Sequence, residues 1–144
     1  MTLLHSLAEW VEHHRVDFDS LADLSIIKMG DDGDISPPFL GFMESGSTIY
    51  EQGDVTLYGV STYEITCELQ TVPAAEDQEG TPEEDERIMR TDLTDILANF
   101  DAVEWITGRN FWEVFDIRAA APTTEAQEGR RVSRWMLTVI AAPL

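Results

Sequence analysis

Between Tyr63 and Gln70 the chain alternates strictly. Tyr63, Ile65, Cys67 and Leu69 are apolar, while Glu64, Thr66, Glu68 and Gln70 are polar. A period of two places the first set on one face of a pleated strand and the second on the other. Such a strand suits an antiparallel sheet with one packed and one wetted face, not a parallel sheet buried on both sides. Some other part of the chain must therefore cover the apolar face.

Two segments have the pattern for that. Leu3, Leu4, Leu7, Ala8 and Val11 recur at helical spacing, with Glu9 and Glu12 off the stripe, so residues 2–14 read as an amphipathic helix. A further short turn is expected at 15–25 around Phe18, Leu21 and Leu24. The second segment begins at Thr81-Pro82-Glu83-Glu84, with Thr81 as N-cap, Pro82 at the first helical position and Glu84 placed for a capping box. It runs to about Phe100 with Met89, Leu93, Ile96, Leu97 and Phe100 on one face, and Ala102–Thr107 adds a short turn that plants Trp105.

The remaining segments read as strands and turns. Asp31-Asp32-Gly33-Asp34 is a turn signal, and Pro37-Pro38 opens a strand over Phe39–Met43. Gly46–Asp54 reads as a turn-rich connection with a short strand near Ile49 and Tyr50. Val55, Leu57 and Tyr58 extend the alternating strand upstream, with Gly59 as a bulge. Phe111–Ala119 and Val132–Ala141 read as a closing antiparallel hairpin with a long polar tip at Pro122–Gly129. The expected fold is α+β: a mainly antiparallel sheet, an N-terminal and a central helix on one face, and a C-terminal β-hairpin. Residues 1–144 read as one domain with an acidic loop at about 74–82, and the carboxylate run continues through Glu83, Glu84, Asp85 and Glu86.

Charge limits what such a domain does. Twenty-eight Asp and Glu oppose nine Lys and Arg, a formal net charge of -19. That balance repels DNA, RNA and anionic membrane, and it works against the compact monomer by self-repulsion. A hydrophobic fraction of 43% with four Trp still provides a core. No apolar run approaches the roughly 18 residues of a membrane span. Met1-Thr2-Leu3-Leu4-His5 lacks a basic n-region, so no signal peptide is expected. Cys67 is the single cysteine, which excludes an intrachain disulfide.

Catalytic patterns are missing. The histidines are His5, His13 and His14, without an HExxH or CxxC pattern, and adjacent helical residues point about 100° apart, so no metal site is expected. Asp31, Asp32 and Asp34 fail the EF-hand template, since Phe42 occupies the twelfth position. Cys67 lies on the apolar face of its strand and reads as a core residue. No nucleophile elbow or phosphate loop occurs. The expectation is a non-enzyme without cofactor. Arg118, Arg130, Arg131 and Arg134 form a local basic cluster, read either as neutralising acidic neighbours or as meeting the acidic surface of another copy. Phe111 and Trp112 are consecutive on a strand, so one of them faces away from the other.

Taken together, the order of elements resembles the tail-terminator family of long-tailed bacteriophages and its related tail-completion and neck proteins. The matching features are the Leu-rich N-terminal helix, the Pro37-Pro38-Phe39-Leu40 entry into a first strand and the alternating Tyr63–Leu69 strand. They continue with the helix carrying Arg87, Arg90, Leu93 and Leu97, and with the closing hairpin. The resemblance spans nearly the full length and rests on element order.

It implies a structural virion protein, typically a ring of six copies at the head-proximal end of the tail. Such a ring ends tail-tube growth and joins the tail to the head connector. Its partners would be itself, the tail-tube protein and the connector, and it would assemble in the host cytoplasm. DNA would pass through an acidic channel without specific binding. Glu64, Glu68, Glu76, Asp77 and Glu79 are the candidate channel-facing residues. Arg118, Arg130, Arg131, Arg134 and Trp112 are the candidate subunit-interface residues. Other readings are another tail or neck component of similar fold, an acidic DNA-mimic inhibitor, a salt-adapted soluble domain and an uncharacterised enzyme.

Overall fold

The computed structural model describes residues 2–27, 36–52, 55–74, 80–106 and 112–143, with backbone alone at 50–52, 55–58 and 106. Helix α1 (Leu3–His14) is followed by two 3-10 turns, Arg15–Asp17 and Asp19–Leu21, and the two-residue strand β1 (Ser25–Ile26). Strands β2 (Phe39–Gln52) and β3 (Val55–Thr71) come next, then helices α2 (Glu83–Ala98) and α3 (Ala102–Ile106). Strands β4 (Trp112–Ala119), β5 (Thr123–Gln127) and β6 (Arg130–Pro143) close the fold. The sheet order is β1-β2-β3-β6-β4, with β5 beside β4 on β6, and every pairing but β1–β2 is antiparallel. The fold is α+β.

One face of the sheet holds the core. Leu40, Leu69, Cys67, Trp135, Ile65, Leu137 and Val139 are buried, and the strand register aligns them on the same side. Leu3, Leu7, Trp10 and Val11 of α1, Met89, Leu93 and Leu97 of α2, and Trp105 of α3 belong to the same cluster. The helices therefore cover one face, as expected from the alternating strand. Polar contacts fix their placement. Trp135 Nε1 donates to Thr94 Oγ1 on α2 at 2.9 Å, and Trp105 Nε1 donates to the Trp112 carbonyl at 2.9 Å.

Several local expectations need correction. The segment 46–52 is not a turn-rich connection: β2 runs unbroken from Phe39 to Gln52. Two bulges bend it. Ser45 is an extra residue between the Glu44–Ile65 and Gly46–Glu64 pairs. Residues 57–60 stand opposite Tyr50 alone, with Gly59 at φ 80° among them, as expected of a bulge there. Bulges let a strand with glycines and serines stay paired while it twists.

Residues 122–129 are not a long tip either. Thr123–Gln127 form β5, paired with β6 from Arg130 to Arg134. The turn itself is Glu128-Gly129, at φ 38° and 78°, the positive pair that a two-residue hairpin turn requires.

The capping box at Thr81 does not form. α2 begins at Glu83, with Pro82 in the N-cap position and no side-chain cap. Thr81 is engaged elsewhere: its N–H donates to the Val72 carbonyl at 2.7 Å and its carbonyl accepts from Ala74 N–H at 3.2 Å. Gly80 permits this approach, since a Cβ there would lie 2.8 Å from the Val72 and Pro73 carbonyl oxygens. The carboxylates of Glu83, Glu84, Asp85 and Glu86 instead sit in the first turn, where they favour the positive end of the helix. At the C-terminal end the helix stops at Ala98, short of Phe100.

Candidate functional site

The face of the sheet away from the helices is open, and it holds the residues that the charge pattern singles out. Glu64 is exposed there, and Glu68 is half-buried next to Arg134. Glu76, Asp77 and Glu79 lie outside the described residues, as does the turn at Asp31–Asp34. At the centre of the face Met43, Thr66 and Met136 stand in one cross-strand row. The two methionines are 53% and 51% exposed, an apolar spot in an otherwise polar surface.

The basic cluster is divided by the sheet, with Arg131 on the side of α2 and Arg118, Arg130 and Arg134 on the open side, and each member meets a partner in the same chain. Arg134 Nε lies 3.0 Å from Glu68 Oε2, and its Nη1 contacts Glu125. Arg118 pairs with Asp116 at 2.8 Å. Arg131 is 3.6 Å from Glu86, and Arg130 donates to Gln70 Oε1 at 2.9 Å while lying over the Phe39 ring. The neutralising reading describes the contacts of Arg118, Arg131 and Arg134, whereas Arg130 meets a neutral amide and a ring. Trp112 is half-buried, edge-on to Tyr63 with ring centroids 5.8 Å apart. The exposed aromatic of β4 is Phe115, 45% exposed at a bulge between Val114 and Asp116. The linear sequence did not mark it, because the bulge breaks the alternation between buried Val114 and buried Ile117.

Glu86 was legible only as part of an acidic run. It is 2% exposed, accepts from Arg90 Nη1 at 2.6 Å and faces Ser133 Oγ at 3.4 Å. A carboxylate is tolerated there because guanidinium groups from α2 and β6 converge on it.

Three titrating groups report these environments. Hydrogen bonding to Arg87 and its charge hold Glu84 below the ordinary glutamate value. Hydrogen bonds from Arg134 and then Gln127 do the same for Glu125. Burial pushes the Cys67 thiol well up, and the neighbouring Glu68 adds to it, so this cysteine is a protonated core residue as expected.

The edges of the sheet complete the surface. β1 covers β2 only at Phe39 and Leu40. Among the described residues no strand pairs with the outer edge of β2 beyond Leu40, nor with the outer edge of β4. From Gly41 to Tyr50 this edge carries one charge, Glu44, and it has no Lys or Pro. Ile49 on it is 66% exposed. Natural edge strands are usually blunted by charge, proline or brevity, and this edge of β2 carries only Glu44 and the bulge at Ser45.

Among the described residues one group can hold a cation by position: His13, His14 and Glu104, whose donor atoms lie within 4.8 Å of one another. The adjacent histidines were expected to diverge. Their rings instead meet edge to face at 5.2 Å at the end of α1, and the third donor comes from α3. No described helix is long and apolar enough to cross a membrane. In comparison with known proteins, the sequence matches no family model and no curated protein.

Proposed function

We propose that this chain is a structural subunit of a ring at the head-proximal end of a long-tailed phage tail. The ring ends tube growth, joins the tail to the head connector and gives DNA an acidic passage. The observation that carries this reading is the pair of strand edges, at opposite ends of one sheet, that no strand covers among the described residues. One edge is long, nearly uncharged and bears exposed Met43 and Ile49; the other bears exposed Phe115. Edge against edge in successive copies is a head-to-tail contact, which makes a ring when its rotation closes.

The charge supports the same reading. Sequence-independent DNA affinity comes from Lys and Arg that neutralise phosphates. Here Arg87, Arg90, Arg118, Arg131 and Arg134 face carboxylates of their own chain. Exposed Glu64 and the acidic segment around Glu76, Asp77 and Glu79 would present only negative charge to a passing duplex. The partners are then further copies, the tail-tube protein and the connector, and the site of action is the virion.

The test is mass photometry across a salt series, followed by negative-stain imaging with and without purified tail tubes. Closed rings of about six copies, with a central hole wide enough for duplex DNA, are the expected outcome. A strict monomer at every salt concentration that also leaves tube ends bare would defeat the proposal.

A further inference from the structure

We infer that His13, His14 and Glu104 form a site for one zinc ion or a similar divalent transition metal. The site joins the C-terminal end of α1 to α3. The donor set is two imidazoles and one carboxylate, which suits zinc with a fourth position open to water.

Two of the donors already have the required separation. His14 Nε2 lies 3.1 Å from Glu104 Oε1. Bonds of about 2.0–2.1 Å in a tetrahedral site put neighbouring ligand atoms about 3.3 Å apart. That histidine nitrogen is shielded from water and makes no hydrogen bond among the described residues, although the carboxylate oxygen is within ion-pair distance. Close approach without hydrogen-bond alignment is how two ligands of one cation stand. His13 is exposed, and its ligand nitrogen already lies within 4.8 Å of the other two donor atoms.

The supporting shell is fixed by packing. The Trp10 ring lies 4.2 Å from the His14 ring, and Trp10 in turn meets Phe100 and Trp105. On the α3 side, Asp101 Oδ1 accepts from the Val103 and Glu104 backbone N–H groups at 2.9 and 3.3 Å, which sets the start of the helix. Trp105, fully buried beside Glu104, anchors that helix to the core. Ligands held by such a shell lose little freedom on binding metal.

The experiment is calorimetric titration of the full chain with Zn2+, with Mg2+ at millimolar excess to occupy diffuse acidic sites. Co2+ then serves as a spectroscopic stand-in. One zinc per chain is expected, with the visible absorption of four-coordinate cobalt and a raised melting temperature. Affinity should fall at least tenfold in His14→Ala and in Glu104→Gln, and stay unchanged in His5→Ala, whose imidazole pairs with Glu9 on a different turn. If His14→Ala fails to fold, Glu104→Gln carries the test, since that side chain is 43% exposed. Zinc binding that is absent, that is displaced by Mg2+, or that is equal in the Glu104 variant overturns the inference. In those cases the cluster is an ion pair tying α1 to α3 and nothing more.

Discussion

The two faces of the β3–β6 pair are made from alternate residues of the same strands, yet they solve opposite problems. On the covered face Ile65, Cys67 and Leu69 oppose Leu137, Trp135 and Ser133 beneath α1 and α2. On the open face Glu64, Thr66 and Glu68 oppose Thr138, Met136 and Arg134. The first face stabilises the fold by excluding water. The second contributes little to stability and instead decides how a chain of charge -19 holds its carboxylates close together. It does so by placing a guanidinium opposite a carboxylate across the strands, as Arg134 does between Glu68 and Glu125. Glu86 combines the two situations, a carboxylate on the covered side that relies on arginines for its charge.

The contrast between the faces is open to direct test. Cys67 gives the largest effect. A thiol on the covered face should react with a disulfide reagent only through global opening, at least about a thousandfold slower than a free thiol. Rapid reaction in native buffer would mean that the covered face is not closed. Next, Trp135→Ala should cost about 3–5 kcal/mol in denaturant unfolding, because it leaves a cavity beneath α2. A loss under 1 kcal/mol would show that the helix repacks. Glu86→Ala should cost about 1.5–3 kcal/mol, since Arg90 and Arg131 lose their shared acceptor. A neutral result would place Glu86 with the open face after all.

On the open face the effects should be small. Glu68→Gln should cost about 0.2–1 kcal/mol and the cost should shrink in high salt. The same change costing as much as Trp135→Ala would erase the distinction between the faces. Smallest is the pH term. Arg87 and Arg134 depress the Glu84 and Glu125 carboxyls in the folded chain. Their contribution is complete above the unfolded value of about 4.3 and is lost as pH falls through the folded value. Carboxyl titration by NMR should show both values moving up toward the ordinary range in Arg87→Met and Arg134→Met respectively.

What could be read from the chain followed from local rules. The alternation at Tyr63–Gln70 identified an antiparallel strand with one packed face, and the Leu stripe at Leu3–Val11 identified a helix to cover it. The short turn expected to plant Trp105 is α3, and it buries that indole in the core. The glycine- and serine-rich half of β2 and the short polar β5 were hidden, since Gly46 and Pro122 read locally as turn signals while backbone pairing to β3 and β6 holds both segments in the sheet. The capping prediction at Thr81 failed for a related reason: a hydrogen bond to Val72 competed for its backbone.

Periodicity, charge and length by themselves determined the class of fold, the separation of its faces and the large negative field, because each is a property of neighbours along the chain. Tertiary structure alone decided which carboxylate meets which arginine, which strands end the sheet among the described residues and which imidazole meets Glu104. Those depend on register and on a few ångströms between residues remote in sequence. A bulge at Phe115 or Ser45 resets them without changing any local pattern.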